Sequence, residues 1–131
     1  MITALYAAIL GLMHVSLTSY VVFGRWRYGV SLGDGAEKEM QRRIRAHGNF
    51  TETTPISLIL LYFAEQHLFT QQEIWTHTFG LMMVIGRILH VVGMTRKRSV
   101  NRFRQVGMTL SLGAMSLLSL WLLYSTVTHL L

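Results

Sequence analysis

The chain has 131 residues, 51% hydrophobic and only 14% charged, with no cysteine; soluble domains usually carry about a quarter charged residues, so composition indicates a single-domain membrane protein. The formal net charge of +6 invites a nucleic-acid reading, but too little polar chain exists to build a basic, water-exposed fold, and nucleic acid is excluded as a partner. Without cysteine there is no disulfide framework, thiolate metal site or protein thiol nucleophile, and any thiol chemistry has to come from a cosubstrate.

Four segments are apolar enough, or long enough, to cross a hydrocarbon core that takes about 20 helical residues. The first runs from about Ile2 to Gly24 without a charge. It lacks the basic leader and small-residue cleavage site of a signal peptide and reads as a retained helix. Turn chemistry follows at Gly29, Gly33, Asp34 and Gly35. The second helix is expected over about residues 36–69, polar in its first third, and at 1.5 Å per residue it spans roughly 50 Å. Its N-terminal end is therefore expected to project from the membrane, and Pro55 within it removes one backbone donor. The third helix is expected over about 73–95, an antiparallel neighbour of the second across a short link, and the fourth over about 104–130. The spacing predicts an all-α, four-helix membrane bundle forming one transmembrane domain over 1–131. Small residues four apart (Ala4/Ala8, Ala7/Gly11, Gly107/Ser111) suit close helix approach.

The basic residues are unevenly placed. Six of the twelve Lys and Arg lie between Arg25 and Arg45, five between Arg96 and Arg104, and Arg87 stands alone in an apolar segment. Positive charge marks cytoplasmic loops, so both basic loops are expected in the cytoplasm and both termini on the other side, the periplasm if the membrane is a bacterial inner membrane.

Ionisable groups at membrane depth are expensive unless paired or wetted, so each implies a partner or a function. Arg42, Arg45, Asn49 and Glu52 form one stripe on the second helix, and Arg87 and His90, three residues apart, share a face of the third. Counted from the charged end, Glu52 and Arg87 lie roughly 10 and 13 Å deep, which predicts a Glu52–Arg87 ion pair with Asn49 donating nearby. Around them Arg25, Arg27, Arg42, Arg45, Arg102 and Arg104 converge on the charged end, opposed only by Asp34, Glu37, Glu39 and Glu52. A surplus of guanidinium groups there makes an anion site. Most of these arginines also read as interface anchors; Arg45 and Arg104 are the two assigned to the site. The six histidines form no HExxH or HxxxH pair, and no metal is expected.

The run Arg45-Ala46-His47-Gly48-Asn49-Phe50-Thr51-Glu52 followed by Pro55 resembles the second-helix signature of the MAPEG superfamily, the membrane-associated proteins of eicosanoid and glutathione metabolism. Arg25-x-Arg27 after the first helix and Gly86-Arg87-x-x-His90 in the third extend the resemblance over essentially the whole chain. It is nearest to short bacterial inner-membrane members.

The resemblance implies a homotrimer with a glutathione site between subunits near the cytoplasmic face. It implies that Arg45, Asn49 and Glu52, with Arg25, Arg27, Arg87 and His90, hold glutathione as cosubstrate. Arg104 would then be the catalytic residue that stabilises the thiolate. The second substrate would be a lipophilic electrophile or hydroperoxide arriving through the membrane lipids, making the chain a glutathione-dependent transferase or peroxidase. Three positions depart from the family pattern: Met94 and Thr53 stand where a tyrosine is common, and Gln105 where a serine follows the helix-four arginine. A non-catalytic family member that binds lipid or a partner is the alternative. A small multidrug exporter is disfavoured because the first helix carries no membrane carboxylate.

Overall fold

Long apolar runs satisfy their own backbone groups as helices, the form a membrane demands. In the computed structural model these are α1 (Thr3–Tyr28), α2 (Lys38–His67), α3 (Gln72–Thr95) and α4 (Arg102–Leu130). The structure describes residues 1–67, 72–96 and 101–130, and no strand occurs among them. The expected end of the second helix at 69, most of the short link after it, and basic residues Lys97 and Arg98 lie outside the described residues.

Two boundaries differ from expectation. α1 ends at Tyr28 rather than near Gly24, because Gly29 adopts a left-handed conformation (φ 64°) and returns its N–H to the Arg25 carbonyl. Arg25 and Arg27 therefore occupy the last helical turn, where cations complement the helix dipole. α2 begins at Lys38 rather than Ala36: Ala36 itself is left-handed (φ 60°), held in a turn whose Asp34 carboxylate accepts its N–H at 3.0 Å.

α1, α3 and α4 are each long and apolar enough to cross a membrane. The 30-residue α2 spans about 45 Å but carries the polar first third read from the sequence. α3 packs most closely on α4, α1 lies against α2 and touches α3, and α2 also meets α3 and α4. The core between them is built from Tyr6, Leu10, Phe50, Leu61, Met83, Ala114 and Leu118.

Glycine sets the α3–α4 distance. A Cβ on Gly86 would collide with the Ser111 hydroxyl, one on Gly107 with the His90 backbone nitrogen, and one on Gly93 with the Arg104 backbone nitrogen. The expected small-residue contact at Gly107 and Ser111 is thus present. Ala4 and Ala8, in contrast, remain exposed in the single chain.

Each end of α1 is fastened to α2. At the terminal end no side chain of α1 caps its first turn; the buried Glu65 carboxylate of α2 instead accepts the N–H groups of Ile2 and Thr3 at 2.6 and 2.9 Å. At the charged end the Arg43 guanidinium lies 3.9 Å from the centre of the Tyr20 ring and donates to the Tyr20 carbonyl at 2.8 Å.

Candidate anion site

The charged end is assembled by the packing just described. Asn101 sits immediately before α4 and caps it: its Oδ1 accepts the Arg104 N–H at 3.0 Å. Its amide Nδ2 donates to the Gly93 carbonyl of α3 at 2.8 Å. His90 adds a third tie, with Nδ1 3.2 Å from the Arg104 carbonyl; a carbonyl can only accept, so this nitrogen carries the proton. The backbone of Arg104 is therefore held from two sides by α3, and its side chain rises from a fixed base.

That side chain lines a hollow of about 430 Å³ between the start of α2, the end of α3 and the start of α4, together with Lys38, Gln41, Arg42, Arg45, Met94 and Arg96. Five of the seven lining residues are basic and none is acidic. The volume lies in the range of small-molecule sites. Arg42 is held by Glu39 at 3.1 Å, the sole ion pair among the described residues, and Tyr20 from α1 donates to the same carboxylate at 3.3 Å. Arg96 lies over the Phe103 ring at 4.2 Å. Fixed guanidinium groups converging without a carboxylate in the wall suit a ligand bearing carboxylates or another anion.

Beneath the hollow, Arg87 is buried at 3% exposure. Its Nη1 donates to Asn49 Oδ1 at 3.1 Å and to Thr53 Oγ1 at 2.6 Å, and its Nε to Ser111 Oγ at 2.9 Å. The expected Glu52–Arg87 ion pair is absent: Glu52 is exposed, and neutral oxygens accept from Nε and Nη1 of the guanidinium. The reason is azimuth. Successive helical residues turn by about 100°, so Asn49 and Thr53, four apart, present one line to α3 while Glu52 points aside. Arg87 lies level with this part of α2, since it bonds residues 49 and 53, but Glu52 between them does not face it.

The residues expected at the site thus separate into three groups. Arg45 and Arg104 line the hollow. Asn49, Arg87 and His90 form the hydrogen-bonded layer below it. Arg25, Arg27 and Glu52 stand elsewhere in the chain: Arg25 donates to the carbonyls of Ser31 and Gly33 in its own loop at 3.3 and 3.1 Å, and Arg27 and Glu52 are exposed. Sequence reading missed Lys38, Gln41 and Arg96 in the wall, and Thr53, Ser111 and Asn101 in its support. Asn101 carried a signal, an Asn just before an apolar run; Thr53 carried one only as the i+4 neighbour of Asn49. Among the described residues no group of three or more His, Asp or Glu could hold a metal ion.

The MAPEG family model matches residues 3–124. Two relatives, each named inner membrane protein YecN, come from Escherichia coli K12 and Escherichia coli O6:H1. Each is 35% identical over 121 residues, covering 92% of this chain and 88% of the relative. With a family match across nearly its whole length, the chain belongs to the MAPEG family.

Proposed function

We propose that the chain is a glutathione-dependent transferase or peroxidase acting on lipophilic substrates at the charged face of an inner membrane. The observation that carries this reading is the hollow walled by Lys38, Arg42, Arg45, Arg96 and Arg104. Glutathione carries two carboxylates and a thiol, and the wall's chemistry fits the anionic groups: Arg42 and Arg45 would hold carboxylates while Arg104 faces the sulfur. A thiol of ordinary pKa about 8.5 is mostly protonated at neutral pH. A fixed cation beside it favours the anion and lowers that pKa. The thiolate would then attack an electrophilic carbon, forming a C–S bond as the leaving group departs with its electron pair. With a hydroperoxide it would attack the outer oxygen, reducing it to an alcohol as a second thiol closes the disulfide and water is released.

The topology that goes with this reading puts the basic end in the cytoplasm, where the positive-inside rule sends it, and both termini in the periplasm. Exposure of Glu52 on the membrane-depth part of α2 supports a homotrimer in which a neighbouring copy covers that carboxylate, since an uncovered one there is costly. A lipid- or partner-binding role without chemistry remains the second reading, supported by Met94 in the wall, where a polar side chain would serve a thiol better.

Calorimetric titration of the purified protein with glutathione tests the proposal, together with turnover of a lipophilic aryl chloride. Binding and turnover that fall with Arg104→Leu and persist with Arg102→Leu support the enzyme. Binding without turnover supports the second reading. No binding at millimolar glutathione overturns both the cosubstrate and the chemistry.

A further inference from the structure

The six histidines make no HExxH or HxxxH pair along one helix, but the fold makes a pair across two. His14 of α1 and His47 of α2 bring their ring centres to 5.1 Å, with the planes tilted by 41°. His14 also packs against the Phe50 ring. Both histidines are half-buried. His47 lies two residues beyond Arg45, about 3 Å along the helix, so the pair sits near the charged face rather than at mid-membrane.

One hydroxyl decides where the His47 ring carries its proton. Thr18 Oγ1 spends its only hydrogen on the His14 carbonyl at 3.0 Å, and His47 Nε2 lies 3.1 Å from the same oxygen. Toward His47 that oxygen can only accept, so Nε2 holds the proton and Nδ1 keeps a lone pair. An imidazole with one nitrogen tied to an oxygen and the other bare is the arrangement that metal-binding histidines adopt. The His14 ring makes no hydrogen bond within the chain, so either of its nitrogens can be the bare one. Unlike His90 Nε2, which is sealed and unpartnered, the His14 nitrogens and His47 Nδ1 reach the surface. Metal–nitrogen bonds of about 2.0–2.1 Å at tetrahedral angles put two imidazole centres that share one ion about 5 Å apart, which is the spacing found here. Space for the rest of a coordination shell is present. A Cβ at Gly11, one turn before His14, or at Gly48, next to His47, would meet nothing within 4 Å, and a groove of about 310 Å³ opens at His14. The nearby cations are committed elsewhere: Arg43 to the Tyr20 ring and carbonyl, and Arg45 to the anion hollow, about 200° round α2 from His47.

We infer that His14 and His47 together bind one divalent transition-metal ion of the Zn²⁺ or Cu²⁺ class, in an open site whose remaining positions water fills. Imidazole nitrogens suit these ions, whereas Mg²⁺ and Ca²⁺ take oxygen ligands. Two protein ligands do not enclose an ion as a structural site does; they leave it open to exchange and to a further ligand. Bound there, the ion would join α1 to α2 between the Glu65 cap at one end and the Arg43–Tyr20 contact at the other.

The test titrates the purified full chain with Zn²⁺ in the absence of glutathione and reads binding by calorimetry. One ion should bind per chain. His14→Ala and His47→Ala should each abolish that binding. Thr18→Val keeps both ligands but removes the oxygen that orients His47, and should weaken binding about tenfold, as loss of an outer-shell partner does. His67→Ala and His129→Ala, at the other end of the bundle, should leave it unchanged. If a variant fails to fold, modification of the unaltered chain with diethyl pyrocarbonate, mapped by mass spectrometry, decides: Zn²⁺ should protect His14 and His47 and leave His67 and His129 reactive. No saturable binding, binding that survives His14→Ala and His47→Ala, full affinity in Thr18→Val, or protection spread over all the histidines would each overturn the inference. No thiol enters the measurement, so its outcome is separate from that of the glutathione site.

Discussion

The guanidinium of Arg87 reaches the hydroxyl of Thr53 at 2.6 Å, while Glu52, one residue earlier on the same helix, stands exposed. A buried cation is thus held by neutral oxygens, and the neighbouring carboxylate takes no part in holding it. Double-mutant cycles in detergent should show it. Arg87→Met with Thr53→Val should couple by about 1–2 kcal/mol, as groups in one hydrogen-bond network do; Arg87→Met with Glu52→Gln should couple by less than about 0.5 kcal/mol. A large Arg87–Glu52 coupling would show that the two meet after all.

Glu65 closes the far end of the bundle by accepting two N–H groups of α1. Removing a cap typically costs about 1–2 kcal/mol, and here the cap also joins two helices. Glu65→Ala should lower the melting temperature and speed amide exchange at Ile2 and Thr3, with Glu65→Gln intermediate. Unchanged exchange at those two amides would count against the clamp.

Close approach of α3 and α4 is what holds Arg104 in the wall of the anion hollow. Gly107→Ala places a Cβ against the backbone of His90 and should both destabilise the protein and weaken glutathione binding. Gly113→Ala is the contrasting case: its Cβ meets nothing within 4 Å, and alanine is the better helix former by about 1 kcal/mol. It should leave binding unchanged and raise stability slightly. Thermal melts and titrations of the two variants distinguish packing from a general intolerance of change.

Asn101→Ala should cost about 1 kcal/mol of stability through the lost cap. It should also weaken glutathione binding more than Arg102→Leu does, because Asn101 ties the Arg104 backbone to Gly93. Equal effects of the two substitutions on affinity would remove Asn101 from the support of the site.

Much of this architecture was legible in the sequence, for identifiable reasons. Apolar length and clustered arginines report on membrane spans and on which end is charged, and that clustering already singles out Arg45 and Arg104, which line the hollow. Depth along a helix can be counted from residue numbers, so Asn49 lies beside Arg87 as expected, although it accepts from the guanidinium rather than donating. Azimuth relative to a neighbouring helix depends on how the two pack, and there the Glu52–Arg87 pair failed. Thr53 and Ser111 were illegible as ligands because membrane helices use hydroxyls freely to bond their own carbonyls, as both do here at 2.8 and 2.9 Å. Glu65 gave no signal either: an acidic residue late in a helix reads as an exposed end, and only the fold brings the start of α1 beside it.

The pH titration of thiolate absorbance in the glutathione complex bears most directly on activation of the thiol by Arg104. If the guanidinium stabilises the anion, the bound thiol ionises well below its free value of about 8.5, so the thiolate signal is already present at neutral pH. Arg104→Leu should return the midpoint toward the free value while Arg102→Leu leaves it lowered. A bound thiol that titrates like free glutathione in the unaltered protein would contradict the assignment.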